Sequence, residues 1–280
     1  MIIVIIGYGE EKNVFINCRK VWDLYIETSN NGNEFKFFFV RDNYGQNEEI
    51  VQKGMDLFVK SDLNPDHEEK ADFFYRSDWS KTQNLHIVKR MKKVYKWIYE
   101  NYRNVCTHIF GCTVTSIFEL NTLKLILDNN IKKNLFAGYT CVYNNFEGME
   151  KFVFLSGANN VFTIDLLEIL ANKDDDFDSW GMPNDVWLGM KFKHVSKSFL
   201  PRFDIQMKVE ELIPQCEVGN LIEEAFAKGH YHIRVKSEGD RSKTDHIILM
   251  DIYRKIFTGL RPDMNALQLQ LRTFGASQYL

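Results

Sequence analysis

Ile2-Ile3-Val4-Ile5-Ile6-Gly7-Tyr8-Gly9 decides how this chain is read. The run from Ile2 to Ile6 is β-branched throughout and has no polar alternation. Such a run suits a strand covered on both faces, the setting of a parallel sheet. The glycines that follow open the strand into a loop. Working outward, Val14 to Ile26 carries apolar residues at helical spacing and predicts a helix returning across the sheet, and Asn30-Asn31-Gly32-Asn33 predicts a turn. Phe35 to Val40 reads as a second buried strand, ending at Arg41-Asp42-Asn43, and Ile50 to Val59 as a short helix or strand. Asn64 to Asp72 reads as a polar loop. Gln83 to Tyr102 predicts a helix with apolar Leu85, Val88, Met91, Val94, Tyr95 and Ile98 and a basic face at Lys89, Arg90, Lys92 and Lys93. Thr107 to Phe110, Leu135 to Gly138 and Phe152 to Leu155 read as strands; Phe118 to Leu127, Thr163 to Ala171 and Asn184 to Met190 read as helices. Beyond Phe199 come a basic stretch, His230 to Lys243, and a last predicted helix, Asp245 to Phe257. Strands alternating with helices predict an α/β fold with a mostly parallel central sheet flanked by helices. Ligands on such sheets sit at the carboxyl ends of strands. Gly7-Tyr8-Gly9, Arg41-Asp42 and the segment after Phe110 fall there.

Composition narrows the class. At 280 residues, 45% hydrophobic and 26% charged, the chain is long enough to bury a sizeable core and ordinary for a globular protein. A net charge of -3 argues against a dedicated nucleic-acid binder, which is usually basic. The cysteines are Cys18, Cys106, Cys112, Cys141 and Cys216, an odd count without CxxC spacing, so neither a disulfide scaffold nor a zinc site is expected. No run approaches the roughly 18 apolar residues of a membrane span, and a cytoplasmic location is the expectation. Cys112 has no histidine near it in sequence to activate it as a nucleophile. Gly7-Tyr8-Gly9 lacks the third glycine of a dinucleotide motif.

Three groups of residues then occur in order. The first is Ser77-Asp78-Trp79, Asn84-Leu85, Lys89 and Lys96-Trp97-Ile98. The second is Ser156-Gly157-Ala158 with Phe162-Thr163-Ile164-Asp165, and the third is Pro183-Asn184-Asp185-Val186-Trp187-Leu188-Gly189. The set resembles the fringe-like, β-1,3-glycosyltransferase group of GT-A enzymes, of bacterial or algal-virus type. The third segment is similar to that group's P-[DE]-D-V-x-x-G motif. The resemblance covers residues 1–195 and implies a single GT-A (Rossmann-like) domain that binds nucleotide-sugar and acceptor, with residues 196–280 as an extension completing it. It also implies an inverting glycosyltransferase that moves a sugar from UDP-xylose, UDP-galactose or UDP-glucose to a hydroxyl of a surface or capsid glycan. For a viral chain the location would be the host cytoplasm. The alternative is a non-catalytic nucleotide- or sugar-binding protein that kept the fold.

The resemblance implies Asp185 as the general base that takes the acceptor's proton; the other reading is a helix-start carboxylate stabilised by the helix dipole. Trp187 would stack on the acceptor sugar or pack in the core. Gly7, Tyr8, Gly9 and Asp42 would contact the nucleotide, while Ser156 and Gly157 would let backbone approach the sugar. The group carries a D-x-D metal motif, and here Val114-Thr115-Ser116 stands in its place. Mn²⁺ or Mg²⁺ needs anionic oxygen ligands, which the hydroxyls of Thr115 and Ser116 do not supply. Asp174-Asp175-Asp176-Phe177-Asp178 follows a predicted helix and reads as a solvated acidic loop, not a relocated motif. Without a metal, cationic side chains would stabilise the leaving group. His232, Arg234 and Lys236 alternate with Ile233 and Val235, which puts the three on one face of a strand. They read as a phosphate cradle or as the protective charges of an edge strand.

Overall fold

The computed structural model of the chain describes residues 1–7, 15–29, 32–43, 47–60, 81–129, 133–146, 149–174, 181–208, 215–238 and 241–276. The predicted first strand is β1 (Ile2–Gly7), and it lies in the middle of an eight-stranded sheet. It runs parallel to β2 (Phe35–Asn43) on one side and to β5 (His108–Thr113) on the other. The unbroken apolar run has a direct cause: Ile2, Val4 and Ile6 face one core, and Ile3 and Ile5 face a second. Ile50 to Val59, left open between helix and strand, forms the hairpin strands β3 (Ile50–Lys53) and β4 (Asp56–Lys60). Gly54 supplies their turn at φ +60.

On the other side of β5 lie β8 (Met149–Thr163), β7 (Phe136–Phe146) and β9 (Lys197–Phe199). The sheet is mixed, with four of its seven pairings parallel, a narrower majority than the expected mostly parallel sheet. Pairings β4–β2, β2–β1, β1–β5 and β7–β9 are parallel, whereas β3–β4, β5–β8 and β8–β7 are antiparallel. The physical reason is that β7 and β8 are consecutive and closely connected, and a short connection forces antiparallel pairing.

Helices cover both faces. The face bearing Ile3 and Ile5 is packed by α2 (Lys81–Tyr102), α4 (Ile164–Asn172) and α5 (Asn184–Lys191). The other face meets α1 (Ile16–Thr28), α3 (Leu120–Asp128), α6 (Gln215–Ala227) and α7 (Arg241–Phe257). A second sheet lies on this side, with β11 (His232–Glu238) between β10 (Phe203–Lys208) and β6 (Ser116–Phe118). Phe118, expected to open a helix, instead ends β6. The helix begins at Leu120, where the Glu119 carboxylate accepts from the Asn121 and Thr122 amides. The helix expected to be last is α7, and α8 (Met264–Ala276) follows it. No described helix is long and apolar enough to cross a membrane.

This topology locates a crevice. From β1 the chain adds β2 on one side and later returns to the other side as β5. Strand order therefore reverses between β1 and β5, and the carboxyl ends there are Gly7 and Thr113, which are register partners. Ligands bind at such switch points in α/β sheets. The turn after Thr113 leads directly into β6, so the two sheets meet at this end.

Candidate functional site

Asp185 stands in the first turn of α5, after Pro183 at the N-cap. Its Oδ2 accepts from the Gly157 amide of β8 at 3.2 Å, and its Oδ1 from the Val186 amide at 3.0 Å. Burial raises its pKa; the amide bonds from Gly157 and Val186 and the charge of Arg234 oppose that rise without cancelling it. Gly189 lets the helix lie this close to β8. A Cβ there would sit 2.7 Å from Phe154 Cβ and 3.0 Å from Phe152 Cζ. Trp187 is 0% exposed and stacked on Tyr95 of α2, rings 6.4 Å apart at 6°. This corrects its reading as an acceptor-sugar platform, because the ring belongs to the core between α2 and α5.

Arg234 of the second sheet lies within electrostatic reach of Asp185. On β11, Ile233 and Val235 are core residues, while His232, Arg234 and Lys236 alternate with them and run from buried through half-buried to exposed. The edge-strand reading is corrected too, since β11 is the middle strand of its sheet. Arg234 stands opposite Asp204 of β10 and Ser116 of β6. Asp204 is already taken: Arg202 donates to it through Nε at 2.6 Å and Nη2 at 2.9 Å. The third nitrogen of Arg202, Nη1, donates to Ser156 Oγ at 2.7 Å, and the guanidinium lies 4.4 Å from the Tyr139 ring centre. Arg234, in contrast, has a buried Nε without a partner and no ion pair among the described residues. Burial and then the Arg202 charge lower its pKa. His232 is fully buried between Phe110 and Phe118, each ring 5.8 Å away, and neither imidazole nitrogen has a partner. Burial, then Arg202 and Arg234, hold its pKa well below 6.5, so it is neutral.

The turn from β5 to β6 lies at the same end of the sheet. Thr113 Oγ1 lies 2.9 Å from Ser116 Oγ and 3.3 Å from Thr115 Oγ1. Arg241, at the start of α7, reaches Thr115 Oγ1 at 3.3 Å and the Val235 carbonyl at 2.9 Å, and its Nε donates to Asp245 at 2.6 Å. From α1, Trp22 donates to the Val114 carbonyl at 3.1 Å, fixing the same turn. The turn thus presents hydroxyls beside arginines. A hard divalent cation needs anionic oxygens, so these residues do not fit one. Among the described residues no group of three or more His, Cys, Asp or Glu is arranged to hold a metal.

From the sequence-predicted set, Gly157 contacts Asp185, Arg234 lies within electrostatic reach of Asp185, Ser156 is tied to Arg202 beside Arg234, Ser116 is the register partner of Arg234 next to Thr115, and Gly7 pairs with Thr113, while His232 is enclosed in the core. Tyr8 and Gly9 lie outside the described residues, as do Ser77-Asp78-Trp79 and Asp175 to Asp178. Asp42 is not a free partner for a base or ribose. Its carboxylate is ion-paired with Arg90 and ties α2 to the end of β2. Asp174 is ion-paired with Lys92. Cys112 is buried, which pushes its thiol pKa far up and removes it as a nucleophile. Sequence reasoning missed Arg202 and Asp204, while Arg241 belongs to the basic stretch His230 to Lys243 that it singled out. The Arg202-x-Asp204 spacing would place both on one strand face, but nothing in it points to Ser156. No protein-family model matches this chain, and no curated protein matches it significantly.

Proposed function

We propose that this chain is an inverting glycosyltransferase of GT-A type, moving a sugar from a UDP-sugar to a glycan hydroxyl with Asp185 as general base. The observation that carries this reading is a pair of opposite charges that sense each other without pairing. Asp185 and Arg234 interact electrostatically, yet no ion pair joins them. Asp185 reaches β8 at Gly157, near the carboxyl end of β5 beside which the sheet order reverses, and α/β folds bind ligands near such points. In the reaction, the acceptor oxygen attacks the anomeric carbon and its proton passes to Asp185. The bond from that carbon to the diphosphate oxygen breaks, and the electron pair leaves with the diphosphate. Arg234 offsets the charge that develops there. The raised pKa of Asp185 suits a base, because proton transfer is most efficient when the catalytic pKa approaches the working pH. UDP-xylose, UDP-galactose and UDP-glucose are the donors to test.

A second reading, a non-catalytic nucleotide- or sugar-binding protein, is favoured by one observation: Val114-Thr115-Ser116 has no carboxylates where the resembled group places its metal ligands. One variant separates the two. Asp185→Asn is expected to bind the UDP-sugar as the wild type does while turnover falls at least about a hundredfold, the loss expected for a general base. Calorimetry of donor binding and a sugar-transfer assay measure the two halves. Turnover near the wild-type rate in Asp185→Asn would remove Asp185 from the role. Donor binding with neither transfer nor hydrolysis in the wild type is the outcome of the second reading.

A further inference from the structure

We infer that Arg234 and the Ser156 hydroxyl, the latter aimed by Arg202, form a site that binds a phosphate or diphosphate group directly, with no cation between protein and ligand. The inference rests on the reading above only for its place in a reaction. The first argument comes from Ser156. Its Oγ accepts from Arg202 Nη1 at 2.7 Å and from the Ala158 amide at 3.4 Å. A hydroxyl has two acceptor lone pairs and one proton. With donors on both lone pairs, the proton of Ser156 points away from them, and it meets no acceptor among the described residues. Arg202 is held stiffly enough to set this orientation, with two bonds to Asp204 and the Tyr139 ring against its plane.

The second argument comes from Arg234. Its natural counter-ion is Asp204, directly across the strand pair, but both Asp204 oxygens are engaged by Arg202. Arg241, which also faces it, has its own partner in Asp245. Arg234 therefore holds a half-buried charge beside two other guanidinium groups, with no ion pair among the described residues and only the more distant fields of Asp204 and Asp185 to offset it. An unpaired buried charge opposes folding, and a bound anion would relieve it. Two residues along the strand, His232 is neutral and 0% exposed, so it supplies no charge that pairs with Arg234. Ser116 of β6 is the register partner of Arg234, and its hydroxyl lies 2.9 Å from that of Thr113 at the end of β5. A guanidinium fork with an oriented hydroxyl donor matches the several oxygens of a phosphate group.

Arg202 acts here as a positioning residue and Arg234 as the ligand-contacting one. The experiment is calorimetric titration of inorganic pyrophosphate, in EDTA, into the full chain and into Arg234→Met, Arg234→Lys and Ser156→Ala, with UDP and UDP-glucose run in parallel. Pyrophosphate is expected to bind the wild type in EDTA. Arg234→Met should weaken it at least about tenfold and Ser156→Ala by a smaller factor, with Arg234→Lys between, since lysine keeps the charge and loses the fork. Arg234→Met removes an unpaired charge, so its thermal unfolding midpoint should be at or above the wild-type value, which separates lost binding from lost folding. Absence of pyrophosphate binding to the wild type, or wild-type binding by Arg234→Met, overturns the site. Arg234-dependent pyrophosphate binding with no binding of UDP-sugars supports the anion site and sinks the transferase reading. UDP-sugar turnover with unaltered donor binding in both Arg234→Met and Ser156→Ala does the reverse.

Discussion

Protonating His232 would place a charge in a fully buried site between the Phe110 and Phe118 rings, and burial and the charges of Arg202 and Arg234 oppose it. The consequence is a pH dependence of stability with a definite sign. Below 6.5 the unfolded chain gains a proton on this imidazole while the folded chain does not. Unfolding is then favoured progressively as pH falls, at up to about 1.4 kcal/mol per pH unit for one proton. His230 adds to the same trend, because burial and Lys228 lower its pKa as well. Asp185 and Asp245 work against it at lower pH, since their raised pKa values make the folded state the better proton acceptor there. His232→Phe fits an aromatic pocket and removes two orphaned nitrogens. Urea denaturation at a series of pH values should show the variant at least as stable as wild type at neutral pH and with a shallower loss between pH 6.5 and the carboxylate range. A slope equal to the wild type's would mean that His232 titrates normally in the folded chain.

At the level of elements, α5 and β8 form a single device, and Gly189 is its fulcrum. Gly189→Ala would set a methyl 2.7 Å from Phe154 Cβ, so the helix must lift from the strand. The expected cost is about 1–3 kcal/mol, as for overpacking in general. Because the same shift would pull Asp185 away from the Gly157 amide, transfer activity should fall by more than the folded fraction does. Denaturation curves and specific activity on the soluble protein check both. The glycine itself was visible in the sequence, and so was the strand run of Ile2 to Ile6, since a strand buried on both faces leaves an unbroken apolar signature. Trp187 shows a misreading that helix geometry corrects. Residues two apart on a helix do not share a face, so Asp185 at the crevice sends Trp187 to the core. The hairpin of β7 and β8 was legible only in fragments. Asn144, Asn159 and Asn160 interrupt its apolar pattern, and the register shifts between Gly138 and Thr140. The Arg202–Ser156 bond, 46 residues apart in sequence, was not legible at all. It depends on β9 and β10 being laid beside strands already in place, which no local pattern encodes.

For the whole molecule, the apparent division at residue 195 does not coincide with a division of the core. One continuous cluster contains Val4, Phe110 and Phe118 from the first part and Ile205, Ile233, Leu249 and Leu267 from the second. The second sheet crosses the same boundary, because β6 pairs with β11. Helices do so as well: Tyr25 of α1 packs against Tyr253 of α7 at 6.2 Å while its hydroxyl donates to the Phe118 carbonyl at 2.8 Å. The chain from residue 196 onward thus covers one face of the large sheet and adds β9 to its edge. A fragment of residues 1–195 would expose Phe110, Ile117 and Phe118 and leave β6 with no partner strand. Elementary area bookkeeping puts the loss at roughly 1.5–3 kcal/mol for each large apolar side chain returned to water, so a few such residues are comparable with the roughly 5–15 kcal/mol that stabilises a domain. The fragment is therefore expected not to fold. The full chain should unfold in a single transition, with tryptophan fluorescence and far-ultraviolet circular dichroism superimposing across a urea series. Trp22 in one core and Trp187 in the other make the fluorescence sensitive to both sides of the sheet. Two resolved transitions, or a 1–195 fragment with a cooperative melt of its own, would show that the crevice is assembled from separately stable parts. Coincident curves would mean that Arg202 and Arg234 reach their places facing Asp185 only when the entire core forms.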